Sequence, residues 1–109
     1  MEIISTGKSG GATVVSVKGR MDAASAPDFE KNMQEMIDGG QRAFAVDLSE
    51  LDYISSAGLR AILSIAKRLK TLNGNFLIAS LRGPVKEVFE ISGFSSIIPI
   101  YDSVDAALS

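Results

Sequence analysis

The chain has 109 residues, 46% hydrophobic and 22% charged, a balance that predicts one globular domain and excludes a disordered chain. The net charge of −2 argues against a general nucleic-acid binder. The absence of Cys and His removes disulfides, thiolate sites, the commonest general base and the commonest metal ligand. No apolar run approaches the roughly 20 residues that span a bilayer, and the first residues lack the pattern of a signal peptide. We therefore expect a cytoplasmic protein without membrane insertion.

The first third of the chain predicts a β-hairpin followed by a helix. Residues 3–6 and 12–18 have the composition of strands, and Lys8-Ser9-Gly10-Gly11 between them is typical of a hairpin turn. Ser25 is a candidate N-cap, with Asp28 three residues later as in a capping box. The apolar side chains that predict the buried face of this helix recur at helical spacing: Phe29, Met33, Met36 and Ile37.

The middle of the chain predicts a strand, a long helix and a second strand. Residues 43–48 are almost continuously apolar, as in a strand that is covered on both faces. The helix is expected from about Ala57 to Leu72, where Asn73-Gly74 ends it, and residues 75–80 form the strand that follows. The predicted apolar stripe of this helix consists of Leu59, Ile62, Leu63, Ala66 and Leu69.

The last quarter of the chain predicts a helix that starts at Pro84, a short strand and a final helix. The strand over residues 97–100 is interrupted by Pro99 and is expected at a sheet edge, and Asp102-Ser103 caps the last helix. The order of elements is β-β-α-β-α-β-α-β-α. This alternation predicts a single layered α/β domain whose central sheet is mostly parallel and begins with an antiparallel pair.

Two serines stand where the long helix begins, Ser56 one residue before the predicted start and Ser55 two residues before it. Serine is a favoured N-cap, which contributes about 1 kcal/mol, so a purely structural role is one interpretation. The other is that Ser56 accepts a phosphate, because a helix N-terminus stabilises negative charge and the fold would survive the modification. A partner docked over the helix end would then lose affinity without any unfolding.

The segment that contains these serines carries a family resemblance. Asp47-Leu48-Ser49, followed by Tyr-Ile-Ser-Ser-Ala-Gly-Leu at residues 53–59, resembles the D-L-S-x-V-x-F-[MI]-D-S-[SA]-G-L signature of STAS domains, in particular of bacterial anti-sigma factor antagonists. Gly19-Arg20-Met21-Asp22 resembles the G-x-[LIV]-D of that family, and residues 88–94 resemble its late helix. The resemblance extends over essentially the whole chain, which predicts that residues 1–109 form one STAS domain.

The resemblance implies a partner-switching function in the control of transcription. The phosphorylated serine of the family falls on Ser56, and the acidic residue before it is replaced by Ser55, which becomes the second choice of acceptor. The unphosphorylated protein is expected to bind an anti-sigma factor that is also a serine protein kinase of the GHKL type, and so to free a sigma factor. A PP2C-type serine phosphatase would reset the cycle. The expected partner-binding residues are Met21, Asp22, Ser55, Ser56, Ala57, Gly58 and Arg60.

The resemblance also places Asp22 near Ser56, where it is expected to shape the kinase-facing surface and could keep the unmodified serine hydrogen-bonded. Asp47, late in a buried strand, is expected to stabilise the loop after that strand by a hydrogen bond. Lys67 and Lys70, with Arg60, could form an anion-binding patch, although a solvated helix face is the simpler interpretation.

We expect no enzymatic activity, no cofactor and no metal. Ser56 has no His to activate it and does not lie in a G-x-S-x-G motif, and no pair of carboxylates has a spacing typical of glycosidase or metal chemistry. The alternative function is a STAS interaction module of another complex, in lipid transport, stress signalling or secretion control. Such a module would bind a protein or an anionic ligand at the Ser56 helix end.

Overall fold

The computed structural model describes the backbone of residues 1–109 and the side chains of residues 1–7 and 10–109. The chain forms six strands, four α-helices and one 3₁₀ turn. In chain order these are β1 (Glu2–Ser9), β2 (Ala12–Met21), α1 (Ala26–Asp38), β3 (Ala43–Asp47), β4 (Leu51–Ile54), α2 (Ser56–Thr71), β5 (Asn75–Ala79), α3 (Gly83–Ser92), the 3₁₀ turn (Phe94–Ser96), β6 (Ile100–Tyr101) and α4 (Val104–Leu108).

The strands form one mixed sheet in the order β1-β2-β3-β5-β6, with β4 paired to β2 beside this path. Only the first pair, β1 with β2, is antiparallel, and the remaining pairs are parallel, which confirms the predicted α/β class. The long strand β2 pairs with β3 through residues 13–16 and with β4 through residues 19–21. Its second half therefore reaches the region where α2 begins.

The core lies between one face of the sheet and helices α1, α2 and α3. Alternate residues of β2, β3 and β5 point into it, as the period of two along a strand requires. Helix α4 packs over β3, β5 and β6. None of the helices in residues 1–109 has the length and hydropathy needed to cross a membrane. The fully buried large side chains of the core include Phe29, Met33, Ile37, Phe44, Ile62, Ile65, Leu69, Ile78 and Phe89.

Strand β4 was not predicted. Burial does not alternate along its four residues, Leu51–Ile54. Leu51 and Ile54 are buried, whereas Asp52 and Tyr53 between them are exposed. The strand is stabilised by pairing with the end of β2 rather than by any pattern of its own.

The predicted strand at residues 97–100 is also corrected. The 3₁₀ turn and Pro99, which has no N–H for a ladder, restrict β6 to Ile100–Tyr101 at the predicted sheet edge.

The buried stripe of α2 is rotated by about one residue from the predicted one. Ile62 and Leu69 are buried as expected, but Leu59, Leu63 and Ala66 are only partly buried. Gly58 and Ala61, the small residues of the stripe, lie at its N-terminal end, where Gly58 contacts Met21 and Ile54. The residues that form the observed stripe are Gly58, Ala61, Ile62, Ile65 and Leu69.

Candidate functional site

Ser55, and not Ser56, is the N-cap of α2, which corrects the expected helix start. Its backbone is extended, with φ −91° and ψ 172°, and its hydroxyl oxygen accepts a hydrogen bond from the Gly58 N–H at 3.2 Å. The Ser55 carbonyl accepts the first helical bond, from Leu59 N–H at 2.9 Å, and the Ser55 N–H donates to the Met21 carbonyl at 2.9 Å. Ser55 is half-buried, and its hydroxyl is already used by the helix.

Ser56 occupies the first helical position and is exposed. No hydrogen bond joins its hydroxyl to any of the residues that the structure describes. The N–H groups of the first helical turn have no carbonyl partners within the helix, and they lie at the positive end of its dipole. A negatively charged group on Ser56 would therefore stand in a favourable field at the surface.

Gly58 lets the start of α2 lie directly against the end of β2. A Cβ atom at this position would come within 2.8 Å of Ile54 Cγ1 and 2.9 Å of the Met21 carbonyl oxygen, closer than real side chains come. Gly58 is buried, and the Met21 side chain is fully buried beneath the helix. Both were expected to contact a partner. In this structure the Met21 side chain is buried and Gly58 has no side chain, so both residues support the surface from below.

Asp22 closes the loop between β2 and α1. Its Oδ1 accepts hydrogen bonds from the backbone N–H groups of Ala24 and Ser25, both at 3.0 Å, and lies 3.1 Å from the Ser25 hydroxyl oxygen. The same hydroxyl accepts from the Asp22 N–H at 2.9 Å. The hydrogen bonds from Ser25 hold the pKa of the Asp22 carboxyl below its ordinary value, with a smaller effect of Arg20.

This arrangement changes two expectations. Ser25 is the N-cap residue of α1 as predicted, but its side chain makes no capping bond to the helix because it bonds Asp22. The capping box with Asp28 is therefore wrong. The hydrogen bonds of Asp22 go to its own loop, and none connects it to Ser56 among the described residues. Asp47 has the expected role, since its Oδ1 accepts from the Ser49 N–H at 3.0 Å.

The loop after β2 and the start of α1 lie beside the first turn of α2. A depression of about 210 Å³ separates the two helix starts, with small apolar residues in its floor and one charge of each sign at its rim. The predicted site residues Ala57 and Arg60 are thereby placed next to the α1 loop that contains Asp22. The depression is lined by Ala23, Ala26, Pro27, Glu30, Ala57 and Arg60.

A stacked pair beside this surface was missed by the sequence analysis. The guanidinium carbon of Arg20 lies 4.2 Å from the centroid of the Tyr53 ring, and the two residues are register partners on β2 and β4. Both side chains are exposed, Tyr53 by 39%. Each residue lies within a recognised motif, but nothing in the sequence indicates that β2 and β4 are neighbours.

The family model of the STAS domain matches residues 4–107, almost the whole chain. The chain belongs to the STAS domain family. Among curated relatives of this STAS domain is BtrV of Bordetella bronchiseptica, which carries the name of an anti-sigma factor antagonist. It is 42% identical over 97 residues, which make up 89% of this chain and 84% of BtrV.

Solved structures agree with the fold of this STAS domain. An anti-sigma factor antagonist from Mycobacterium paratuberculosis is 27% identical, with a TM-score of 0.86 over 98% of this chain and 90% of that protein. The phosphorylated form of the Bacillus cell fate determinant SpoIIAA has the same fold, with a TM-score of 0.75 over 98% of this chain and 96% of SpoIIAA, at 14% identity.

Proposed function

We propose that this STAS domain is an anti-sigma factor antagonist that acts as a phosphorylation-controlled binding switch. The unphosphorylated form binds and sequesters an anti-sigma factor that is also a serine protein kinase of the GHKL type, and the sigma factor is released. Phosphorylation on Ser56 ends this binding, and a PP2C-type serine phosphatase restores it. The name of BtrV, 42% identical to this chain, supports the antagonist function.

The observation that carries the proposal is the difference between the two neighbouring hydroxyls. Ser56 is exposed at the first turn of α2, and its hydroxyl has no hydrogen-bond partner among the described residues. Ser55 is half-buried, and its hydroxyl oxygen accepts from the Gly58 N–H. A kinase needs a hydroxyl that can enter its active site, so Ser56 is the better acceptor.

The electrostatics of the helix start explain how a phosphate would switch binding without unfolding the domain. A phosphoserine carries about −1.5 to −2 charges at pH 7, and the N-terminus of a helix stabilises such a charge. A partner that covers the first turn of α2 must remove water from this charge, which weakens the complex. A hundredfold loss of affinity corresponds to about 2.7 kcal/mol, which one dianionic group at an interface can supply.

The proposed partner surface consists of side chains that the fold leaves accessible around Ser56. Ala57 and Arg60 are on the same helix, and Asp22 lies in the neighbouring loop. Arg60 adds a positive charge to this surface, so an unphosphorylated site offers a cation and a free hydroxyl to the partner. The same surface acquires a dominant negative charge when Ser56 is phosphorylated.

Phosphate mapping by tandem mass spectrometry tests the proposed acceptor. The protein is isolated from the cells that make it, during growth, starvation and stress. We expect phosphate on Ser56 in at least one of these conditions. Phosphate on Ser55 alone would mean that the capping serine is the acceptor. The absence of phosphate from both serines in all conditions would contradict the switch.

Calorimetric binding to the anti-sigma factor kinase of the same cells tests the consequence. Ser56→Ala is expected to bind like the wild type, and Ser56→Asp at least about tenfold more weakly. Ser64→Asp is the matched control, because Ser64 is exposed on α2 two turns beyond the site. Equal affinity of Ser56→Asp and Ser56→Ala would refute the role of charge at residue 56.

A further inference from the structure

A groove of about 500 Å³ opens at the end of α2 that is remote from Ser56. It lies between the C-terminal half of that helix, the first residues of β5 and the segment 96–99. Its volume is within the range of about 300–1,000 Å³ that is usual for small-molecule sites. With the helical rise of 1.5 Å per residue, Lys70 lies roughly 21 Å along α2 from Ser56, so this groove is separate from the proposed switch.

One wall of the groove is positively charged. Lys67 and Lys70 line it from α2, and no Asp or Glu occurs among the lining residues that the structure describes. The ion pairs found among the described side chains use Lys18 and Arg68, so neither lysine of the groove is neutralised by one of them. The aliphatic stems of lysines cover apolar surface while their ammonium groups stay at its rim. The groove therefore attracts an anion.

The other side of the groove presents an exposed apolar side chain beside the polar residues Asn75 and Ser96. Ile97 projects from the segment before β6 and is 57% exposed, and Ile98 and Phe76 form the floor beneath it. A solvated helix face, the simpler interpretation of the two lysines, does not account for an exposed isoleucine opposite them. Large apolar side chains at a cleft with convergent polar groups are typical of binding sites.

Pro99 explains why the groove stays open. The Ile78 N–H donates to the Pro99 carbonyl at 3.0 Å, but Pro99 has no N–H with which to continue the parallel ladder toward Phe76. The pairing of β5 with β6 is consequently limited to Ile78 and Ala79. The first residues of β5 lack a neighbouring strand on this side, and the space that a longer β6 would fill becomes the groove.

We propose that this groove binds an organic anion with one acidic head and an apolar body, such as a medium-chain carboxylate. The head lies between the ammonium groups of Lys67 and Lys70. The body lies along Ile97 and the floor formed by Phe76 and Ile98. The charge complementarity selects an anion, and the exposed isoleucine selects one with an apolar chain over an inorganic ion.

Octanoate is a suitable probe, titrated into ¹⁵N-labelled protein and followed by amide chemical shifts. We expect saturable shifts at residues 75–77 and 96–98, with a Kd of about 1 mM or tighter. The double variant Lys67→Gln/Lys70→Gln should bind at least about tenfold more weakly. The matched control Lys31→Gln/Lys86→Gln removes the same charge from exposed lysines on α1 and α3, outside the groove, and should bind like the wild type.

Four results would overturn the proposal. The first is the absence of saturable shifts in the groove, and the second is an equal loss of affinity in both double variants, since a general effect of net charge would then suffice. The third is equal binding of 1-octanol, which has the apolar chain without the charge. Shifts centred on residues 56–58 would place the anion at the start of α2 and would likewise refute the groove. Unchanged melting temperatures of the variants confirm that they fold.

Discussion

The backbone N–H of Ser55 donates a hydrogen bond of 2.9 Å to the carbonyl oxygen of Met21, which joins the N-cap of α2 to the last residue of β2. This hydrogen bond connects residues 19–22 with residues 47–59, the two segments that resemble family motifs. Gly58, one turn into the helix, permits this contact because its missing side chain leaves room for the Met21 carbonyl. The position of Ser56 at the surface follows from these two features.

Gly58→Ala is expected to destabilise the domain. The new methyl group would overlap Ile54 and the Met21 carbonyl, and overpacking of this kind costs about 1–3 kcal/mol. Urea unfolding followed by circular dichroism measures the free energy of unfolding. Ser64→Ala, on the exposed face of the same helix, serves as the control and should change it by less than about 0.5 kcal/mol. A Gly58→Ala variant as stable as this control would disprove the close contact.

Ser55→Ala and Ser56→Ala should differ in stability although the residues are adjacent. Ser55→Ala removes the acceptor of the Gly58 N–H, and the loss of an N-cap costs about 1 kcal/mol. Ser56→Ala removes an exposed hydroxyl without a described partner and should change the free energy of unfolding by less than about 0.5 kcal/mol. Thermal and urea unfolding of both variants measure this difference in the free energy of unfolding. A larger loss for Ser56→Ala would mean that the cap is wrongly assigned.

The Asp22 carboxyl should titrate below the usual range of aspartates, because Ser25 stabilises its charged form. Its pKa is lowered in the folded state, so its contribution to stability is present above the unfolded value of about 3.9 and is lost as the pH falls through the lowered folded pKa. Ser25→Ala removes the hydroxyl but keeps the backbone N–H that contributes most, so it should move the pKa of Asp22 only part of the way toward its ordinary value. Carbon-detected NMR titration of the side chain measures both midpoints, and an unchanged midpoint in Ser25→Ala would contradict the contribution of the Ser25 hydroxyl.

Arg20 and Tyr53 should be energetically coupled. A guanidinium stacked on an exposed ring contributes about 0.5–1 kcal/mol, which a double-mutant cycle with Arg20→Met and Tyr53→Leu measures as the coupling in unfolding free energy. A second cycle with Tyr53→Phe is the control, since phenylalanine retains the ring, and its coupling with Arg20→Met should be close to zero. A zero coupling in the first cycle would show that the stacking contributes nothing to stability.

Much of the fold was predictable because it rests on local patterns. The helical spacing of Phe29, Met33 and Ile37 identified the buried face of α1, and the continuous apolar run of β3 identified a strand covered on both faces. The edge position of β6 followed from Pro99, which cannot complete a ladder. These features depend on a residue and its near neighbours, and sequence displays such relationships directly.

The site was predicted less completely because its geometry depends on contacts between distant segments. The stripe of α2 was misplaced since its burial is set by the close approach of Gly58 to β2, which periodicity does not register. Met21 looked like a partner-binding residue because it lies inside a motif, but the helix covers it fully. The strand β4 and the Arg20–Tyr53 pair depend on the second half of β2 having its own partner.

Residue 55 affects the start of α2 in two ways, through its capping hydrogen bond and through its charge, and these two effects can be varied independently. Serine and aspartate are about equally effective as N-caps, so the helix start has the same geometry with either residue. Serine at position 55 provides this cap without a carboxylate. Ser55→Asp is thus expected to retain an N-cap at the start of α2 while adding one negative charge next to Ser56. This position can tune the electrostatic potential of the surface while the architecture beneath it stays the same.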